Sequence, residues 1–431
     1  MRNRDEIEAL LEKALGQSNA PLAQVEYFFR QDRATRFGEN AITQCTGGAE
    51  KHLRLVLAYG KHHGSSATNK LDDGSIGALV NRAEKIAAGS PADPEFMPPV
   101  ASQPPPAVPP RYDEKVARLT PAAIAAEIAT AVEMAKGLAY KASGLFAGGW
   151  GARAIANSEG HFAFERFSNL NHSITMHGPL GSGYAAENAE FIDQINTESM
   201  ARRALETAEK AQNPVPIEPG DYTVVFEPRA VADLLSYMAW NMSARDADEG
   251  TTVFAAKVGE RLFNPMVRIE TRVDDPELPA PPFGQDGLPA RPMVWVNGGV
   301  VERLRHDRYW ASQKETRPDP LLYPLFMDGQ DQNLQDLIVR CQKGLLVKRL
   351  WYIRYVDRKS LLLTGMTRDG VFLIENGRII HPVSNLRFNE SPVAFLQNVV
   401  AMSRPQRVED WAKVPGMMSE SFTFSSKTES V

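Results

Sequence analysis

The chain has 431 residues, 43% of them hydrophobic and 23% charged, with a formal net charge of −5. That is the balance of a soluble globular protein too long for one ordinary core, so two domains are expected. The acidic balance offers no overall basic field for nucleic acid, and no window approaches the ~18–20 uninterrupted apolar residues of a membrane span. The run Met1–Glu6 leads into a charged amphipathic helix without the apolar core of a signal peptide, so a cytoplasmic location is expected. Cys45 and Cys341 lie far apart, which argues against a disulfide framework.

In chain order, residues 5–15 place Ile7, Leu10, Leu11, Ala14 and Leu15 on one helical stripe. Val25, Tyr27 and Phe29 alternate as in a half-buried strand, as do Leu53, Leu55 and Leu57. A helix is predicted from Gly74 to about Ala88 with Ile76, Val80, Ala83 and Ile86 inward. Residues 91–110 contain nine prolines, which sustain neither a helix nor an internal strand, so this stretch reads as a stiff extended connector. Thr120 caps the next helix, Pro121 opens it and Gly137 stops it. Short strands follow through Ala152–Asn157 and Phe162–Phe167, then a long helix from about Ala189 to Gln212, which Asn213-Pro214 ends.

The second half opens with a strand at Tyr222–Phe226 and a helix carrying Val231, Leu234, Leu235, Met238 and Met242. Leu334, Leu337, Ile338 and Cys341 form one helical face that Gly344 would end, which makes Cys341 a buried, inert thiol. Asn297-Gly298-Gly299 and Asn376-Gly377 mark hairpins, because these residues tolerate the positive φ of tight two-residue turns. A helix from about Val393 to Met402 and a strand at Phe422–Phe424 complete the pattern. Helices and strands do not alternate strictly, so the class is α+β. Residues 1–213 are expected to form an N-terminal α/β-type domain with a mixed sheet, and residues 214–431 a strand-rich C-terminal domain of largely antiparallel sheet.

No catalytic constellation emerges from spacing. A zinc hydrolase helix carries two His with a Glu between them, so that one element supplies two ligands and the base. The eight histidines here show no such arrangement, and His172 and His177, five apart in a strand, face opposite sides. Asp246–Glu249 and Asp274-Asp275 sit in turn-like stretches. The glycine-rich pieces lack the strand-to-helix setting and Lys of a phosphate loop, and no Gly-x-Ser-x-Gly elbow occurs. Arg368 and Asp369 are read either as a local ion pair that shapes a turn or as a clamp on an extended peptide.

The segment Gly365–Gly377, with Lys348-Arg349-Leu350-Trp351-Tyr352 before it and Leu386–Ser391 after it, resembles the TldD/PmbA family. So do Thr35–Asn40, Ala156–Gly160 and Pro219–Pro228, in the family's order. Catalytic TldD-type members carry a His-Glu-x-x-x-His motif on the helix after that last strand, plus a late cysteine ligand. Placed on this sequence, the ligand positions fall on Ser236 and Asn241 and the base position on Tyr237. Ser and Asn are poor zinc ligands, and a tyrosine with pKa ~10 is a poor base at neutral pH. Nothing after Cys341 is Cys.

This pattern is similar to the PmbA (TldE-like) branch, whose members pair with a metal-bearing TldD-like subunit to degrade unfolded peptides or trim leader peptides. The resemblance implies no cofactor in this chain, zinc in a partner subunit, and assembly as a heterodimer or with itself. It implies a role in shaping the cavity and holding extended peptide at a sheet edge, with Arg349, Arg368 and Asp369 as candidate peptide contacts. Two alternatives stay open: a homodimer that binds peptides without hydrolysis, and a metal-independent enzyme using Tyr237, Arg368 and Asp369. Family names mention DNA gyrase, but nothing in the charge pattern points to DNA contact.

Overall fold

The computed structural model describes residues 2–319 and 322–428. The first half opens with α1 (Arg4–Gly16), then β1 (Leu22–Gly38), β2 (Ala41–Tyr59), β3 (His62–Thr68) and α2 (Asp73–Gly89). After the proline-rich stretch come α3 (Glu114–Ala117), α4 (Pro121–Gly137), β4 (Lys141–Asn157), β5 (Phe162–His177), β6 (Ser182–Ala189) and α5 (Thr197–Lys210). The six strands form one sheet in the order β3-β2-β1-β4-β5-β6. Every pairing in it is antiparallel, so the expected mixed sheet is corrected: each strand returns through a hairpin, and no helical crossover intervenes between neighbours other than β1 and β4.

Helices cover this sheet in two groups. Ile7, Leu10, Leu11 and Ala14 of α1 and Ile76, Val80 and Ala83 of α2 pack on Val25, Tyr27, Leu53 and Leu55. At the other end α4 and α5 pack on Phe146, Leu170 and Ile174. Asn3 and Glu6 make a reciprocal capping box on α1, and Thr120 accepts from the Ala123 amide on α4, satisfying N–H groups the helices leave free. Ile86, expected inward, is 46% exposed, because α2 turns its Ala83 and Ala87 face to β3 instead. The long helix expected from Ala189 begins only at Thr197: β6 continues to Ala189, and a short 3-10 turn spans Ile192–Gln194.

The 91–110 stretch is without helix or strand, as expected, but it is tied down along its length. Asp93 pairs with His63, Glu95 with Arg245 across to the second half, and the Val100 carbonyl accepts from Asn157. Arg308 reaches the Pro98 carbonyl. The connector is therefore a strap between the halves.

The second half begins with β7 (Gly220–Phe226), α6 (Pro228–Trp240) and α7 (Ala244–Asp248). Next are β8 (Ile269–Thr271), β9 (Met293–Asn297), β10 (Val300–Val301), α8 (Arg308–Gln313), β11 (Leu325–Met327) and α9 (Leu334–Arg340). The long meander follows: β12 (Lys343–Asp357), β13 (Leu362–Glu375), β14 (Arg378–Pro382), β15 (Leu386–Glu390), α10 (Pro392–Gln397), β16 (Val399–Arg407) and β17 (Ala412–Lys427). Among the described residues the sheet has eleven strands, largely antiparallel as expected, with parallel pairs β7–β12 and β11–β17. Because β7 pairs with both β12 and β17, the strands β7, β12, β13, β15 and β17 close into a ring. Closure removes free edges where the ring strands pair, and Phe226, Phe388, Phe395, Phe422 and Phe424 pack against one another in the core beside it.

Two boundaries differ from expectation here. The helix at Val393 ends at Gln397, and Val399 starts β16, which pairs along β17. Gly344 lies inside β12, since Cys341 itself caps α9, fully buried and with its thiol pushed up by burial. Asn376 and Gly377 form the β13–β14 turn with φ of 50° and 74°. That is the left-handed pair the dipeptide suits.

Candidate functional site

Helix α6 follows β7 directly and is opened by Pro228, whose missing N–H costs nothing at a first turn. Its apolar residues Val231, Leu234, Leu235 and Met238 are buried in the core of the second half. Its polar residues Asp233, Tyr237 and Asn241 recur every fourth position and so share one face. That face lies along β12, just where β12 has left its neighbour: β7 pairs only Leu345–Val347.

Two of these side chains close the strand edge that results, and the third reaches a side chain on it. Asp233 Oδ2 accepts from the Leu350 amide at 3.1 Å, and the Tyr237 hydroxyl donates to the Ile353 carbonyl at 2.6 Å. Asn241 Nδ2 donates to the Tyr355 hydroxyl at 3.0 Å and to the Tyr237 carbonyl at 2.7 Å. The Asn241 carbonyl in turn accepts from Thr252. Ser236, one position before Tyr237, donates back to the Asp233 carbonyl at 2.9 Å, a bond within the helix. The structure thus places Ser236, Tyr237 and Asn241 together at the end of α6, with each engaged in the protein's own hydrogen bonds.

These residues do not fit a metal. Two neutral oxygen or amide groups and a phenol are a weak donor set for zinc. Among the described residues no three His, Cys, Asp or Glu side chains converge on a point that could hold an ion. No chemical step is assigned to a metal in this chain.

Asp233 is the residue of this seam that sequence reasoning passed over. Burial pushes its carboxyl up to about 6, although Arg229 at 3.1 Å and the Leu350 amide pull the other way. Arg229 also pairs with Glu409 at 2.6 Å. An acid flanked by the apolar residues Val231, Ala232, Leu234 and Leu235, four residues before Tyr237, was the available signal.

The candidate peptide contacts Arg349, Arg368 and Asp369 come together on the neighbouring strands β12 and β13, where Arg349 and Arg368 stand opposite each other. Arg349 donates to Asp369 at 2.8 Å, and both side chains are nearly buried. The other Asp369 oxygen accepts from Ser182 of β6 at 2.7 Å, which joins the two halves of the molecule. The Arg349 guanidinium lies 3.8 Å from the ring centre of Tyr184 and 4.6 Å from that of Trp351. Asp369 has φ of 53°, a left-handed conformation that aspartate tolerates better than most residues. Arg368 is more open, 3.9 Å from Asp369 and with its guanidinium 5.2 Å from the ring centre of Trp351.

Beyond the end of α6 lies a cavity of about 510 Å³ walled by Trp240, Met242, Asp286, Arg305, Leu322 and Tyr323. Burial pushes the Tyr323 hydroxyl up to about 12, against a hydrogen bond with Trp240. Trp240 remains 58% exposed. No helix of the described residues is long and apolar enough to cross a membrane.

Residues 219–426, the ring and its helices, match the PmbA/TldA metallopeptidase C-terminal domain. A metalloprotease of Archaeoglobus fulgidus is 23% identical over 230 residues, covering 49% of this chain and 51% of that protein. The match thus spans about half the length of that relative. The fold of TldE from Thermococcus kodakarensis superposes with a TM-score of 0.87 at 16% identity, covering 97% of this chain and 99% of that one. A protein of Thermotoga maritima described as a candidate modulator of a DNA gyrase gives 0.87 at 15% identity, over 97% of this chain and 100% of its own. A similarly described protein of Bacteroides thetaiotaomicron gives 0.84 at 19% identity, over 99% and 100% of the two chains. Residues 219–426 thus carry the PmbA/TldA metallopeptidase C-terminal domain, and the whole length shares the fold of these solved structures.

Proposed function

We propose that this chain is a non-catalytic, TldE-like subunit that pairs with a metal-bearing TldD-like subunit in a cytoplasmic peptidase acting on unfolded or leader peptides. The observation that carries this reading is the end of α6. Where a catalytic member needs two metal ligands and a base, Ser236, Asn241 and Tyr237 spend their polar atoms on Asp233, Tyr355 and Ile353. Zinc is assigned to the partner. In this chain the helix instead braces the strand that carries Arg349 and Trp351, beside the cavity under Trp240 and Tyr323. Shaping that cavity and holding extended peptide is the chain's part in the assembly.

The test is isolation of the tagged chain from native extract, identification of what travels with it, and a peptide-cleavage assay on each fraction. The expected result is a companion bearing His-Glu-x-x-x-His in one-to-one amount, with cleavage by the pair and none by this chain alone. Cleavage by the isolated chain would overturn the proposal.

A further inference from the structure

We propose that the outer end of the β12–β13 hairpin, residues 351–360, is a docking site for an extended peptide segment rich in acidic side chains. This deepens the peptide-holding reading above and rests on it. Large apolar side chains stand open here: Trp351 is 41%, Val356 53% and Tyr352 59% exposed. On the same strand, Tyr355 lies 5.2 Å from the ring of Tyr237, which in turn lies 5.0 Å from Trp240 of α6. A group of exposed aromatic side chains with arginines among them has the composition of a recognition surface.

The backbone is bent to present those rings. Successive strand residues normally face opposite ways, yet Trp351 and Tyr352 both point outward. The register with β13 slips between Trp351 and Arg354, and Tyr352 sits at φ of 55°. A bulky side chain in the left-handed region is an energetic outlier, of the kind that collects at binding sites.

The charge pattern names the occupant. Arg349 and Arg368 lie over Trp351, and Arg354 lies 4.4 Å from the ring centre of Tyr352. Arg349 is neutralised by Asp369, whereas among the described residues Arg354, Arg358 and Lys359 form no ion pair with a carboxylate. The acid between them, Asp357, is occupied with Ser360 and the Lys359 and Ser360 amides. A locally basic tip thus stands on a chain of net charge −5. The edge of β12 is already closed at Leu350 and Ile353 by α6, so recognition here runs through side chains and charge becomes selective. In an extended segment, alternate side chains face one way. Carboxylates can then reach the three cations while apolar neighbours lie on Trp351, Tyr352 and Val356. Nucleic acid fits less well, since tight sequence-independent binding needs a run of phosphate contacts and the net charge repels a polyanion.

The test is fluorescence anisotropy of the full chain with a labelled peptide of alternating Glu and Leu, its Gln-for-Glu and Lys-for-Glu counterparts, and a labelled oligothymidylate. The Glu peptide is expected to bind roughly tenfold more tightly than the Gln peptide, the Lys peptide most weakly, with the advantage shrinking as salt rises. The double variant Arg358→Glu, Lys359→Glu, on an exposed turn and with an unchanged melting curve, is expected to abolish that advantage. Equal binding of Glu and Gln peptides would overturn the docking site while leaving the peptide-holding reading intact. Binding of no peptide at all would overturn both. Tighter binding of oligothymidylate than of the Glu peptide would overturn the site in favour of nucleic acid.

Discussion

The inner part of the β12–β13 hairpin, here called its base, and its tip use the same residue types for opposite purposes. At this base, midway along the two strands, Asp369 is buried and Arg349 nearly so, bonded to each other and tied through Ser182 and Tyr184 to the first half of the molecule. At the tip, Arg354, Arg358 and Lys359 are exposed and, among the described residues, form no ion pair with a carboxylate, beside exposed rings. An arginine count along the strand does not separate these roles; burial and the presence of a carboxylate do. Base arginines hold the halves together, and tip arginines are free to meet something else.

The comparison breaks most visibly at the base. Asp369→Ala leaves the Arg349 guanidinium buried and uncompensated, which should cost about 3–5 kcal/mol and lower the denaturant midpoint sharply. A small shift there would mean that the base is as loosely held as the tip. Next in size is a pH effect at Asp233. Its folded pKa of about 6 lies above the ordinary 3.8, so the folded state holds the proton more strongly. The stability contributed is complete below pH 3.8 and is lost as pH rises through 6. Against Asp233→Asn, wild-type stability should therefore fall by roughly 2–3 kcal/mol across that window and run parallel above it. Chemical denaturation of both proteins at stepped pH reads this directly.

Tyr237→Phe removes one hydrogen bond from the α6–β12 seam and should cost about 1 kcal/mol, leaving the Ile353 carbonyl without that donor. Hydrogen exchange at β12 amides should quicken more than at β4. The smallest effect belongs to the tip: Arg358→Ala should alter stability by no more than ~0.5 kcal/mol. A larger loss would place Arg358 among the structural arginines and erase the contrast.

Much of the local structure was legible in the sequence, because local chemistry decides it. Thr120-Pro121 and Gly137 bound α4, and Asn376-Gly377 forms its turn. The α6 positions Ser236, Tyr237 and Asn241 could be picked out from the family's motif alone. What could not be read depends on partners distant in sequence. Val399 looks like the continuation of a helix until β17 pairs with it, and β7 gives no sign that β17 will close the ring. Likewise nothing in one dimension says that Arg349 pairs with Asp369 and lies between the rings of Tyr184 and Trp351. The polar spacing Asp233, Tyr237, Asn241 was visible in one dimension, but its meaning required knowing that β12 parts from β7 after Val347.

The central claim is that α6 braces a strand and does not hold an ion. Elemental analysis of the purified full chain, dialysed against zinc and then against metal-free buffer, tests it most directly. The account predicts zinc far below one atom per chain, with no change on Ser236→Ala or Asn241→Ala. One tightly held zinc per chain, lost in those variants, would contradict it.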